Sequence, residues 1–126
     1  MKCIKIYSIL SNFENETTTI EAIAEYDEKE NVINYTEEDL KVKIKIGKDK
    51  VLIDRKNEDY CLSLEFIPNE KVECKYEVKS IGLNLDIDVI TKVLEIEKNR
   101  IYINYEIFND NKSIGTFEYK LIIKEW

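Results

Sequence analysis

Apolar and polar residues alternate along most of this chain. Leu40, Val42, Ile44 and Ile46 are separated by Lys41, Lys43 and Lys45. Tyr60, Leu62, Leu64 and Phe66 alternate with Cys61, Ser63 and Glu65, and Val72, Cys74, Tyr76 and Val78 with Glu73, Lys75 and Glu77. The same rhythm carries Leu83 to Val89, Ile101 to Ile107 and Phe117 to Ile123. A period of two predicts strands with one face buried and one wet. Val32 to Tyr35 and Val51 to Arg55 read as further short strands. The breaks are short and polar: 47–50, 56–59, 68–70, 97–100 and 109–112, all of hairpin-loop composition. Between Val89 and Leu94 the phase slips, which predicts a bulge or bend.

Thr17 to Lys29 is the segment where two readings compete. Ile20, Ile23 and Ala24 have helical spacing, but Thr17-Thr18-Thr19 is a β-branched run, and a strand is the expectation. Eight to ten sequential strands are too many for a small flat sheet with two bare edges. They predict one all-β domain over residues 1–126, a closed or nearly closed antiparallel up-and-down barrel. A two-sheet sandwich is the alternative.

Composition narrows the function more than it names it. The net charge of −7 argues against a DNA-binding surface, which must neutralise phosphates. No segment reaches the about 18 consecutive apolar residues of a membrane-spanning helix, and residues 1–7 do not resemble a secretion signal. The three cysteines, Cys3, Cys61 and Cys74, are odd in number and lack C-x-x-C spacing. Free thiols and a cytoplasmic location are therefore expected, with a Cys61–Cys74 bridge left open. Arginine is rare, at Arg55 and Arg100 only, in a chain rich in lysine.

From Tyr35 onward the chain resembles the YwiB-like family of uncharacterised bacterial proteins. The residues that carry the resemblance are Tyr35 with Glu37, Lys45-Ile46 before a Gly/Asp/Lys turn, and Val51-Leu52-Ile53-Asp54-Arg55. Lys75-Tyr76, Ile81-Gly82-Leu83-Asn84-Leu85, Thr91 and Arg100-Ile101-Tyr102-Ile103-Asn104-Tyr105 follow in order. The resemblance implies a calycin-type, lipocalin-like barrel and brings no reaction with it. Where that family often has glycine two residues after the arginine, this chain has Asn57, which tolerates a left-handed turn conformation.

The candidate chemistry is sparse. There is no histidine, which removes Ser–His–Asp and Cys–His catalysis and histidine metal sites. Neither an enzyme nor a bound metal or cofactor is expected. Asp86 and Asp88, about 6.6 Å apart by strand rise, alternate with Leu85, Ile87 and Val89 and belong to the wet face. Lys41, Lys43 and Lys45 form a basic stripe that could meet RNA but reads more simply as protection of a sheet edge. Cys74 shares the apolar phase of Val72 and Tyr76 and is expected in the core.

Arg55 stands out, because Val51 and Ile53 set the apolar phase that carries it into the barrel near its mouth. Tyr60, Tyr76, Tyr105 and Tyr119 occupy apolar-phase positions too, each with a hydroxyl that needs a partner. Arg55 and these four tyrosines form the candidate ligand-binding set, for a small amphipathic or anionic molecule held inside the barrel. The competing expectation is that Arg55 pairs with a buried tyrosine or an acid, or stacks on Trp126 as the family resemblance implies, and simply plugs one end. Two function classes follow. One is a ligand-binding barrel; the other is a packed barrel acting as an interaction or structural protein through its surface or a homodimer interface.

Overall fold

The structure, a computed structural model, describes residues 2–125. Ten strands run in chain order: β1 (Lys2–Asn12), β2 (Thr17–Asp27), β3 (Val32–Glu37), β4 (Leu40–Ile46), β5 (Val51–Lys56), β6 (Tyr60–Phe66), β7 (Lys71–Val78), β8 (Leu83–Glu97), β9 (Arg100–Asn109) and β10 (Lys112–Glu125). Each pairs antiparallel with the next, and β1 pairs with β10 to close the ring. This is the up-and-down barrel that the alternation predicts. One 3-10 turn, Lys79–Ile81, interrupts the meander. It ends at Gly82, whose φ of 65° suits a residue without a Cβ.

Register turns the sequence pattern into an interior. Ile33 faces Ile44, Ile44 faces Ile53 and Ile53 faces Leu64 across successive strands. Ile6, Ile33, Ile44, Val51, Val89, Ile103 and Leu121 lose all solvent contact. Each aliphatic side chain so buried contributes about 1.5–3 kcal/mol. Cys74 joins this core, and the three thiols are free.

The competing segment 17–29 is a strand to Asp27, because β2 finds a ladder with β1 from Ser11–Thr17 to Lys2–Tyr26. That hairpin ladder outweighs the local helical spacing. The phase slip after Val89 is a bulge between Thr91 and Val93, which returns Leu94 to the side of Ile103. β1 is a strand whose alternation is blurred, since Ser8 occupies an inward position and is 5 % exposed.

The turns use asparagine and aspartate. Asp110 and Asn111 both have positive φ, the signature of a two-residue type I′ hairpin whose twist matches its strands. At Asn57 the turn survives differently from the left-handed conformation expected there. Asn57 is not among the positive-φ residues; its Oδ1 accepts hydrogen bonds from the Asp59 and Tyr60 amides at 2.8 and 2.9 Å. A side-chain carbonyl that caps two amides makes glycine unnecessary.

Phe66 is 1 % exposed and packs its ring 4.7 Å from that of Tyr105. Phe66→Ala should cost about 3–5 kcal/mol of unfolding free energy, measured by denaturant titration. A loss below 1 kcal/mol, as an order of magnitude for a surface site, would mean that the interior is not packed there.

Candidate functional site

The site begins with a fault in the ladder. β2 and β3 pair through three residue pairs only, from Glu25–Asn34 to Asp27–Val32. Beyond Ala24 towards its start, β2 follows β1, while Tyr35, Thr36 and Glu37 follow β4. The two strands part, and clefts lie where they do. The one at the barrel mouth has a volume of about 580 Å³ and is lined by Ile20, Ala22, Glu37, Leu40, Arg55 and Tyr60, among others. A larger one of about 840 Å³ crosses the seam onto the outer wall of β4, β5 and β6. Arg55 lines both.

Arg55 points inward, as its phase predicts. It sits opposite Val42 on β4 and Leu62 on β6, both of which share the core side. Its Nη2 donates to Glu37 Oε2 at 3.2 Å, and both side chains are about three-quarters covered, at 26 % and 20 % exposure. Glu37 was not among the candidate residues, although its phase follows Ile33 and Tyr35 and was readable. The ion pair is thus an acid-partnered arginine near the end of the barrel. Trp126, the other expected partner, lies outside the described residues.

Deeper in, the guanidinium acts on a group of phenols. Tyr35, Tyr105 and Tyr119 are 7 %, 5 % and 6 % exposed. Burial raises the Tyr35 phenol pKa, Arg55 opposes the rise, and the Ser8 and Tyr119 hydroxyls hydrogen-bond to it. Burial pushes Tyr105 up to about 12, again against the pull of Arg55. Tyr119 is raised well above the ordinary phenol range, by burial first and then by its neighbour Tyr35. Tyr105 stacks on Phe117 with ring centres 5.4 Å apart. Across the ladder from it, the buried Thr91 hydroxyl has no hydrogen-bond partner among the described residues.

The five candidates therefore divide. Arg55, Tyr105 and Tyr119 belong to one electrostatic cluster, together with Tyr35, Ser8 and Glu37. Tyr60 stands at the mouth beside Arg55 and meets Tyr76 edge-to-face, ring centres 6.0 Å apart. Tyr76 lines neither cleft. The mouth is rimmed by Glu21, Glu38 and Asp39 in addition to Glu37. Glu38 holds φ at 55°, an uncommon conformation for glutamate, in the two-residue link to β4. Among the described residues no three of the metal-binding side chains Cys, Asp and Glu come together.

The sequence matches the family model described as a domain of unknown function, DUF1934, over residues 4–121. In three dimensions the chain is similar to the ywiB protein from Bacillus subtilis, known from a crystal structure. The TM-score is 0.77 at 18 % identity, covering 98 % of this chain and 90 % of that one. At that identity the likeness speaks for a shared barrel. No curated protein matches.

Two outcomes follow from this geometry. Arg55→Met should lower stability by about 1–3 kcal/mol, because Glu37 loses its donor while still largely covered. Adding Glu37→Met should recover part of that loss in a double-mutant cycle; additive losses would show that the two residues do not interact. Alkaline pH tests the phenols. An unfolded tyrosine ionises near pH 10 and folded Tyr105 near 12, so the unfolded state releases protons first. The stabilisation is complete below pH 10 and is lost as pH climbs towards 12. Phenolate absorbance should show Tyr35, Tyr105 and Tyr119 ionising above pH 10, together with unfolding.

Proposed function

We propose, for a chain that belongs to the DUF1934 family, that this barrel is a non-enzymatic binding module which admits a small amphipathic molecule at the parted β2–β3 seam. The observation that carries the reading is the mouth cleft of about 580 Å³, with a polar end and an apolar wall. Ile20, Ala22 and Leu40 supply the wall, and the Arg55–Glu37 pair with the Tyr60 hydroxyl supplies the polar end. The lining is more polar than apolar, so a ligand here would be held chiefly by placed polar groups, with a small apolar wall beside them.

The rim decides between ligand charges. Arg55 is already neutralised by Glu37 and Glu21 by Lys5, and Glu38 and Asp39 leave the mouth negative. An anion entering here meets repulsion, whereas a neutral or cationic polar group can exchange hydrogen bonds with the pair. The ligand is therefore amphipathic and not anionic. Catalysis has no support in the residues present, since phenols held above their ordinary pKa are poor bases at neutral pH. Three free thiols fit a reducing compartment, which favours the cytoplasm. The reading involves neither nucleic acid nor a membrane.

A packed barrel acting through its surface is the competing reading, and the exposed Ile81, Leu83, Val93 and Ile114 favour it. Native mass spectrometry of protein purified from its host separates the two. A retained small molecule that is lost in both Arg55→Met and Tyr60→Ala supports the binding module. A bare protein mass, or a homodimer that persists on dilution with no added ligand mass, supports the surface reading.

A further inference from the structure

The closed ring leaves the lysine stripe of β4 unexplained. Protection of a sheet edge accounts for Lys41, Lys43 and Lys45 only if β4 is an edge. It is not, for β3 and β5 pair along its whole length. The register makes matters worse for stability. Lys41 lies directly opposite Lys56 on the same outer face, with Cβ atoms about 5 Å apart by strand geometry, where like charges repel. Among the described residues Lys41, Lys43 and Lys56 have no acidic partner, while Lys50, Lys71, Lys75 and Lys92 each have one. Asp54, across from Lys43, instead accepts a hydrogen bond from Ser63 Oγ at 2.5 Å. A chain with net charge −7 has gathered on one patch of wall three exposed cations that make no ion pair among the described residues, with the Asp54 carboxylate beside them.

That patch is also concave. The cleft of about 840 Å³ is lined by all three lysines and Arg55 on one side, with Asp54 among them, and by Ile23, Cys3 and Glu25 on the other. Ile23 is 50 % exposed, an apolar side chain turned to water within a charged surround. The cations outnumber the two carboxylates, and the exposed Ile23 faces them, which suits an occupant with an anionic end and an apolar body.

We propose that this outer cleft is a second site, which binds the phosphomonoester end of a small amphipathic molecule. Three ammonium groups match a phosphomonoester, which carries about −1.5 to −2 charges at neutral pH, better than they match a single carboxylate. The apolar body lies against Ile23. The site differs from the mouth cleft in its three lysines, although Arg55 lines both. An extended RNA strand fits less well, because stacking needs outward aromatic rings and none of the cleft's outward side chains is aromatic.

The test uses the full chain and 1-naphthyl phosphate, titrated calorimetrically, with 1-naphthol and single-stranded RNA as comparisons. Saturable binding of the phosphate at one site, weakened by added salt, is expected. Lys41→Glu should weaken it about tenfold or more. In the unliganded protein the same change should raise the melting temperature, because an acid then faces Lys56. Lys112→Glu, an equal change of net charge at the first residue of β10, should leave binding as it was. The proposal is overturned by an absence of binding to the unaltered protein, by equal affinity for 1-naphthol, or by tighter binding of RNA. Equal losses in Lys41→Glu and Lys112→Glu would overturn it as well, since net charge alone would then explain the affinity.

Discussion

A strand inside this molecule needs a hydrogen-bonded neighbour on each side, and the ring meets that demand except along part of two joints, β2–β3 and β6–β7. Closure between β1 and β10 removes the free edges of an open sheet. The interior can then be continuous, from Ile6 through Ile44 to Leu121. The parting between β2 and β3 arises because β2 stays with β1 and β3 with β4 as they diverge. Both clefts open at that parting, and Arg55 stands beside each of them.

The interior is not uniformly apolar. An aliphatic belt gives way near the mouth to Ser8, Tyr35, Tyr105 and Tyr119, with Arg55 and Glu37 above them. A buried guanidinium without a carboxylate would be costly, and buried hydroxyls without partners only less so. Grouping them lets each polar group serve as another's partner. Burial holds the phenols neutral against the pull of Arg55. The acidic rim and the lysine wall then separate two electrostatic environments that share a single seam.

Much of this was legible in the sequence because a period of two leaves little freedom. Ladders such as β4, β5 and β6 have clean alternation, and once Val51 and Ile53 face inward, Arg55 must follow. Glu37 was equally readable by phase but was passed over, since an acid at an apolar-phase position at a strand end looks like a turn residue. Ser8 blurred β1 for the same reason. The lysine stripe was misassigned because being an edge is a property of topology, and no local pattern reports whether a strand has one neighbour or two. The β2–β3 parting was invisible too; it depends on how far two strands run together, which only the register shows.

The pairing of β1 with β10 joins the two strands farthest apart along the chain. During synthesis on the ribosome, β1 and β2 emerge first and can form a hairpin early, yet the outer side of β1 has no partner until β10 is made. For most of translation the hairpin carries Ile4 and Ile6 beside an open edge, a template for another nascent chain. Contacts of such long sequence separation also form slowly. The ring that protects the finished protein therefore leaves its first-made strand waiting for its last, and the yield of folded molecules depends on how well that interval is kept free of neighbours.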